Sequence, residues 1–274
     1  MQVKLTKSVI TVGSWTLISR ILGMVREVLL STFIGAGPLL DAFVAAFRLP
    51  NIFRRFFAEG AFNAAFVPLF AKRYESNMEP KEFANNVFAN LLTLLLILTS
   101  IAMVFMPGLV FLTAAGFASD QRFDLTVDFG RIMFPYILLI SLAALFSGIL
   151  NTTGRFATAA AAPVILNIII VVALLIAWVT EHNIMVWLVW SIPIAGIIQL
   201  SLLWLATYKT GIKITLSLPK WNKDIGNLVK LAIPAALAGG VLQINLLVGQ
   251  LVACLLYTSP SPRDATLSRM PSSA

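Results

Sequence analysis

Residues Asp41 to Pro68 read DAFVAAFRLPNIFRRFFAEGAFNAAFVP, a stretch in which Asp41, Arg48, Arg54, Arg55 and Glu59 interrupt otherwise apolar sequence. A charge at the centre of a bilayer costs roughly 3 kcal/mol even on the lenient insertion scales, so several together face a wet cavity rather than lipid. The fold follows from what surrounds them. Of the 274 residues 59% are apolar and only 12% charged, and the mean hydropathy is +0.90. Apolar runs of span length recur with short polar breaks, about seven in all, each long enough to cross a hydrocarbon core near 30 Å thick. They cover residues 8–33, 39–70, 83–112, 128–150, 158–179, 184–207 and 227–253. Strands of about ten alternating residues, the pattern of an outer-membrane barrel, are absent from the sequence, so helices are the spanning element. The expectation is an all-α, polytopic membrane bundle of about seven transmembrane helices.

The net charge of +8 sorts by topology, which argues against nucleic acid as the partner. Lys4 and Lys7 precede the first run, Lys72, Arg73 and Lys81 follow the second, Arg155 follows the fourth, and Lys209, Lys213, Lys220 and Lys223 follow the sixth. The intervening turns at residues 35–38 and 181–183 carry no Lys or Arg, and the loop 113–127 has only Arg122 beside Asp120 and Asp124. The positive-inside rule then places the N-terminus in the cytoplasm. The first run continues through Arg20, Arg26 and Glu27 with no small-residue cleavage site, so it reads as a retained helix. With one cysteine, Cys254, and one histidine, His182, neither an internal disulfide nor a Cys/His catalytic or metal centre is available, and no cofactor is implied.

In the first run Arg20 and Glu27 are separated by about two helical turns and share a face with Gly23, while Arg26 lies off it. Two readings stand for that pair: an ion pair fixing helix packing, or part of a polar cavity. In the second run a continuous helix stacks Arg48, Arg55 and Glu59 on one stripe, but Pro50 is expected to break or bend the chain near Leu49 and to place Asn51 in a cavity wall. Together these two runs set five arginines against Glu27, Asp41 and Glu59. Unpaired buried guanidinium groups want an anion, whose phosphate or carboxylate oxygens they grip bidentately. For Arg54 and Arg55 an anchoring role at the inner interface competes with a place in the cavity. The candidate binding residues are therefore Arg20, Arg26, Glu27, Asp41, Arg48, Asn51, Arg54, Arg55 and Glu59. Pro135, Pro163, Pro193 and Pro234 fall inside later runs and read as kinks, Gln243, Asn245 and Gln250 as interhelical hydrogen-bonding groups, and Trp178, Trp187, Trp190 and Trp204 as interfacial belts.

SRILGMVRE from Ser19, then DAF, RLPNIFRRFFAEGAF and AFVP through Pro68, then FPYILLISLAALFSGILNTTGRF from Phe134 with Asn167 beyond it, resemble the lipid II flippase family, MurJ (MviN). The resemblance covers about residues 4–253. It implies the multidrug/oligosaccharidyl-lipid/polysaccharide exporter superfamily, in which two pseudo-symmetric bundles enclose a central cavity, and this chain looks like the first lobe of that two-lobe exporter. It further implies that Arg20, Arg26, Asp41 and Arg54 match positions needed for transport, with the arginines toward the diphosphate of undecaprenyl-linked disaccharide-pentapeptide. Many relatives carry aspartate where Glu27 stands. The implied partners are lipid II, membrane lipids and a C-terminal lobe whose first helix contributes an Asp-Arg pair to the cavity. The implied location is the bacterial cytoplasmic membrane, and the implied activity is flipping by alternating access without covalent chemistry.

Rivals are an exporter of another polyprenyl-diphosphate glycan or of drugs, a membrane-embedded transferase, and a non-transporting scaffold. An arginine-rich lobe disfavours a cationic drug, and Asp120, Asp124, Asp128 and Asp224 form no compact catalytic motif. Residues 254–274, CLLYTSPSPRDATLSRMPSSA, fall outside the resemblance. They read as a disordered Ser/Pro-rich tail and also look like translated adapter sequence.

Overall fold

The computed structural model describes the backbone of residues 2–54, 61–118 and 120–238. The described residues are helical and contain no strand. In chain order the helices are α1 (Gln2–Phe33), α2 (Pro38–Arg54), α3 (Ala61–Glu75), α4 (Pro80–Val104), α5 (Met106–Thr113), a short 3-10 turn at Ala115–Phe117, α6 (Arg122–Met133), α7 (Tyr136–Thr152), α8 (Phe156–Val179) and α9 (Ile184–Tyr208). Residues 223–238 form a further helix, α10.

Local chemistry sets these boundaries. Gly35, Gly154 and Gly211 occupy the left-handed region at φ 72°, 79° and 87°, where a Cβ is disfavoured, so the turns after α1, α7 and α9 fall there. Pro80 sits in the first turn of α4, where its missing N–H costs nothing. Asn183 caps α9 by accepting from the Met185 N–H at 3.0 Å, satisfying one of the orphan donors at a helix start.

Four stretches among the described residues are long and apolar enough to cross a membrane: Pro80–Val104, Arg122–Thr152, Phe156–Val179 and Ile184–Tyr208. The chain is a multi-pass membrane protein. Three expected spans are more articulated than their apolar pattern implied. The second divides into α2 and α3, with residues 55–60 outside the described set. The third ends its first helix at Val104 and restarts as α5 around Pro107. The fourth begins earlier than expected, at Arg122, and turns at Phe134–Pro135 between α6 and α7.

The break expected near Leu49 does not occur: α2 runs through Pro50 to Arg54. Pro50 is buried. Its missing N–H orphans one carbonyl and costs less inside a packed bundle than an open break exposing several groups would. Pro163 and Pro193 likewise lie within continuous α8 and α9.

α7 is the axis. Tyr136, Ile137, Leu145, Phe146, Ile149 and Leu150 are all essentially inaccessible, and the helix packs against α2, α3, α4, α8 and α9. Close approach of α9 depends on Gly196, where a Cβ would lie 2.8 Å from Tyr136 Cδ2 and 2.9 Å from Leu139 Cδ1. The same contact is tied by polar groups: the Tyr136 hydroxyl donates to Gln199 Oε1 at 3.2 Å, and Gln199 Nε2 donates to the Ala162 carbonyl of α8 at 2.5 Å. α1 lies along α8, whereas α2 lies along α6 and α7. The two arginine-bearing helices therefore diverge after Gly35 instead of packing on each other.

Candidate functional site

α8 meets α1 through one polar residue. Asn167, in an otherwise apolar helix, donates through Nδ2 to the Ser19 carbonyl at 3.0 Å and to Ser19 Oγ at 3.3 Å. Its Oδ1 accepts from Arg26 Nη1 at 3.0 Å. Gly23 faces the same contact, where a Cβ would meet Asn167 Nδ2 at 3.8 Å, an ordinary van der Waals distance. Arg26 also donates through Nη2 to Glu27 Oε1 at 2.5 Å, with side-chain exposures of 21% for the arginine and 65% for the glutamate. Its Nε is buried without a partner among the described residues. One guanidinium thus spends two donors on a short and a charge-assisted bond and keeps another unspent.

Of the two readings open for Arg20 and Glu27, the ion pair between them does not form. Glu27 turns to its neighbour Arg26, because adjacent long side chains on an exposed helix edge reach each other and Asn167 already holds the arginine in place. Arg20 is exposed on α1 and forms no hydrogen bond or ion pair with any described residue. It lies 13 residues before the end of α1, about 20 Å along the axis.

Asp41, in the first turn of α2, accepts from Arg122 Nη1 at 3.2 Å. Arg122 also donates through Nε to Asp120 Oδ2 at 2.5 Å and lies 4.5 Å over the Phe117 ring. That hydrogen bond from the guanidinium holds the Asp120 carboxyl below its ordinary range. Asp41 is therefore committed to the start of α6 rather than to the arginines of α1. Arg48, about two helical turns further along α2, is exposed and partnerless among the described residues. Asn51 is half-buried and has a partner. Arg54 closes α2, and its side chain lies outside the described residues, as do Arg55 and Glu59 entirely.

Both described carboxylates of α1 and α2 among the candidates are thus taken up, Glu27 by Arg26 and Asp41 by Arg122, leaving Arg20 and Arg48 with open donor sets. Each of these two guanidinium groups keeps donors of the kind that grip phosphate or carboxylate oxygens. No group of three His, Cys, Asp or Glu side chains suited to a metal ion occurs among the described residues.

The model of the family described as lipid II flippase MurJ matches residues 30–261. The chain belongs to the MurJ lipid II flippase family. A probable lipid II flippase MurJ of Rhizobium tropici is 47% identical over 256 residues, covering 91% of this chain and 48% of the relative. The corresponding protein of Rickettsia prowazekii is 34% identical over 255 residues, with 92% and 50% covered. A solved lipid II flippase MurJ in an inward closed conformation superimposes with a TM-score of 0.71 at 29% identity, over 86% of this chain and 49% of that one. The fold alone is shared, at 18% identity and a TM-score of 0.67, with an outward-facing multidrug resistance MATE transporter of the MOP superfamily. The chain spans about half the length of the curated MurJ relatives it matches.

Two residues central to this geometry escaped reading from the residues themselves. Asn167 was visible only as part of the MurJ-like pattern; a lone amide in a span as apolar as Phe156–Val179 is the trace it leaves. Arg122 read as a loop charge, and nothing in its spacing points to Asp41, 81 positions away.

Proposed function

We propose that this chain forms the first lobe of a lipid II flippase, with its N-terminus in the cytoplasm, in the bacterial cytoplasmic membrane. In the whole protein it moves undecaprenyl-diphosphate disaccharide-pentapeptide from the cytoplasmic to the outer leaflet. The observation that carries this reading is the open pair Arg20 and Arg48, left over once Glu27 and Asp41 are engaged. A diphosphate offers several charged oxygens to such donors, and in a cavity of lowered dielectric the attraction exceeds its surface value. Arg26, held by Asn167, stands by with a buried unspent Nε. Arg54, Arg55, Glu59 and Asn51 complete the proposed cavity wall. Rocking of this lobe against a second one exposes the site to each side in turn.

The test is complementation of a flippase-depleted strain by a version of the chain extended to the length of its relatives. Arg20→Ala and Arg48→Ala are expected to insert at normal level and fail to support growth, while Arg→Lys fails only partly because a point charge does not reproduce the guanidinium fork. Growth supported by both alanine variants would overturn the anion site. Residues 1–274 alone are expected to insert and not to flip, because one lobe has nothing to rock against. Residues 254–274 stay, in this reading, outside the lobe.

The likeness of fold to exporters of other cargo makes another polyprenyl-diphosphate glycan the second reading. Competition by the undecaprenyl-diphosphate glycan lacking the pentapeptide separates the two.

A further inference from the structure

Between the start of α8, the end of α9 and the middle of α1 a groove of about 790 Å³ opens, separate from Arg20 and Arg48. Two cations form its rim. Arg155 immediately precedes α8 and Lys209 immediately follows α9, and Arg155 Nη2 donates to the Lys209 carbonyl at 3.2 Å, holding the guanidinium beside the lysine. The next lysine, Lys213, is drawn instead over the Tyr208 ring at 4.9 Å. Lys209 itself has no ion-pair partner among the described residues. No carboxylate among the described residues lines the groove; Thr158 and Ser201 supply hydroxyls.

Below the rim the walls are apolar. Trp15 of α1, Ala161 of α8, and Ile198 and Leu205 of α9 line it, and Ile198 and Leu205 are 44% and 62% exposed. Lys209 and Ile198 are separated by about 16 Å of helix, close to the ~15 Å depth of one leaflet's hydrocarbon. A groove with cations where the helices meet the membrane surface, and one leaflet's depth of apolar wall beneath, has the shape and charge of a phospholipid with an anionic headgroup.

We propose that this groove binds one anionic phospholipid, its phosphodiester between Arg155 and Lys209 and an acyl chain along Ile198 and Leu205 against Trp15. The two cations, with no carboxylate to offset them, select a net-negative headgroup over a zwitterionic one. Small Ala157 and Ala161 on α8 leave the width that a chain needs.

Trp15 reports occupancy directly. The whole 274-residue chain is placed in phosphatidylcholine nanodiscs carrying a minor fraction of either dibrominated phosphatidylglycerol or dibrominated phosphatidylcholine, and the Trp15 emission is taken as the difference from Trp15→Phe. Bromo-phosphatidylglycerol is expected to quench Trp15 with about thirtyfold preference over bromo-phosphatidylcholine, the equivalent of about 1 kcal/mol for each of two cations. Arg155→Gln/Lys209→Gln is expected to bring the two lipids to parity, and Arg155→Lys/Lys209→Arg to keep the preference, which also controls for folding. Lys72→Gln/Lys81→Gln, which lie outside the groove, should leave it unchanged. Equal quenching by the two lipids in the unsubstituted chain, or a preference that survives the double glutamine variant, overturns the proposal. Loss of the preference in millimolar glycerol phosphate would overturn the lipid as occupant in favour of a free anion.

Discussion

Replacing Asn167 with alanine removes the polar tie between α1 and α8, and its cost follows from the bonds it breaks. The bond to Arg26 Nη1 at 3.0 Å has a charged donor, a class worth about 1.5–3 kcal/mol net. The two bonds from Nδ2 to Ser19 are interhelical and neutral, a class averaging about 0.6 kcal/mol in membranes. Arg26 retains Glu27 and is 21% exposed, so water recovers part of what it loses. The expected net loss is about 2 kcal/mol. Steric trapping in bicelles, which reads the unfolding free energy without leaving the bilayer, measures it. Asn167→Asp keeps the acceptor for Arg26 and loses the donors to Ser19, so it is expected to cost about half as much. A double-mutant cycle with Arg26→Gln should show coupling of about 1 kcal/mol or more. Asn167→Ala within about 0.5 kcal/mol of the unsubstituted chain, the range of an ordinary surface change, would refute the idea that this residue joins the two helices.

Gly196→Val places methyl groups where a Cβ alone already meets Tyr136 and Leu139 at 2.8–3.0 Å, and it is expected to destabilise the α7–α9 contact by about 1–3 kcal/mol, measured in the same assay. Cysteine placed at Arg48 is expected to react readily with a water-soluble thiol reagent and at Leu95, which is fully buried, to stay protected; comparable labelling at both positions would remove the wet face of α2. The Asp120 carboxyl, lowered by the Arg122 hydrogen bond, stabilises the loop above its unfolded pKa of about 3.9, and that contribution disappears as pH falls through the lowered folded value. Hydrogen exchange in residues 115–124 is therefore expected to quicken on acidification below the ordinary aspartate range, and Asp120→Asn to abolish that acid-induced step.

The sequence by itself determined the class of this protein. Apolar runs of bilayer length with sorted basic loops admit a polytopic helical bundle and little else, and the local patterns from Ser19 to Pro68 and from Phe134 to Phe156 carry the family. Local turn chemistry was legible too, as in the turn at residues 35–38, where Gly35 takes φ 72°. What the tertiary structure decided is which charge meets which. Arg26 finds Asn167 across 141 positions, Asp41 finds Arg122 across 81, and Glu27 leaves the face it shares with Arg20 for its immediate neighbour. Helical periodicity places residues on a face only when one face differs from the other, and α8 and α9 are apolar nearly all round, so their pairing partners are not written in their spacing. Pro50 teaches the same lesson from the backbone side: its ring predicts a broken hydrogen-bond ladder, but the packed bundle around α2 makes one orphaned carbonyl cheaper than a break. Which arginines remain open to a ligand depends on these long-range choices, because a guanidinium is free only after every nearby carboxylate and amide has found something else.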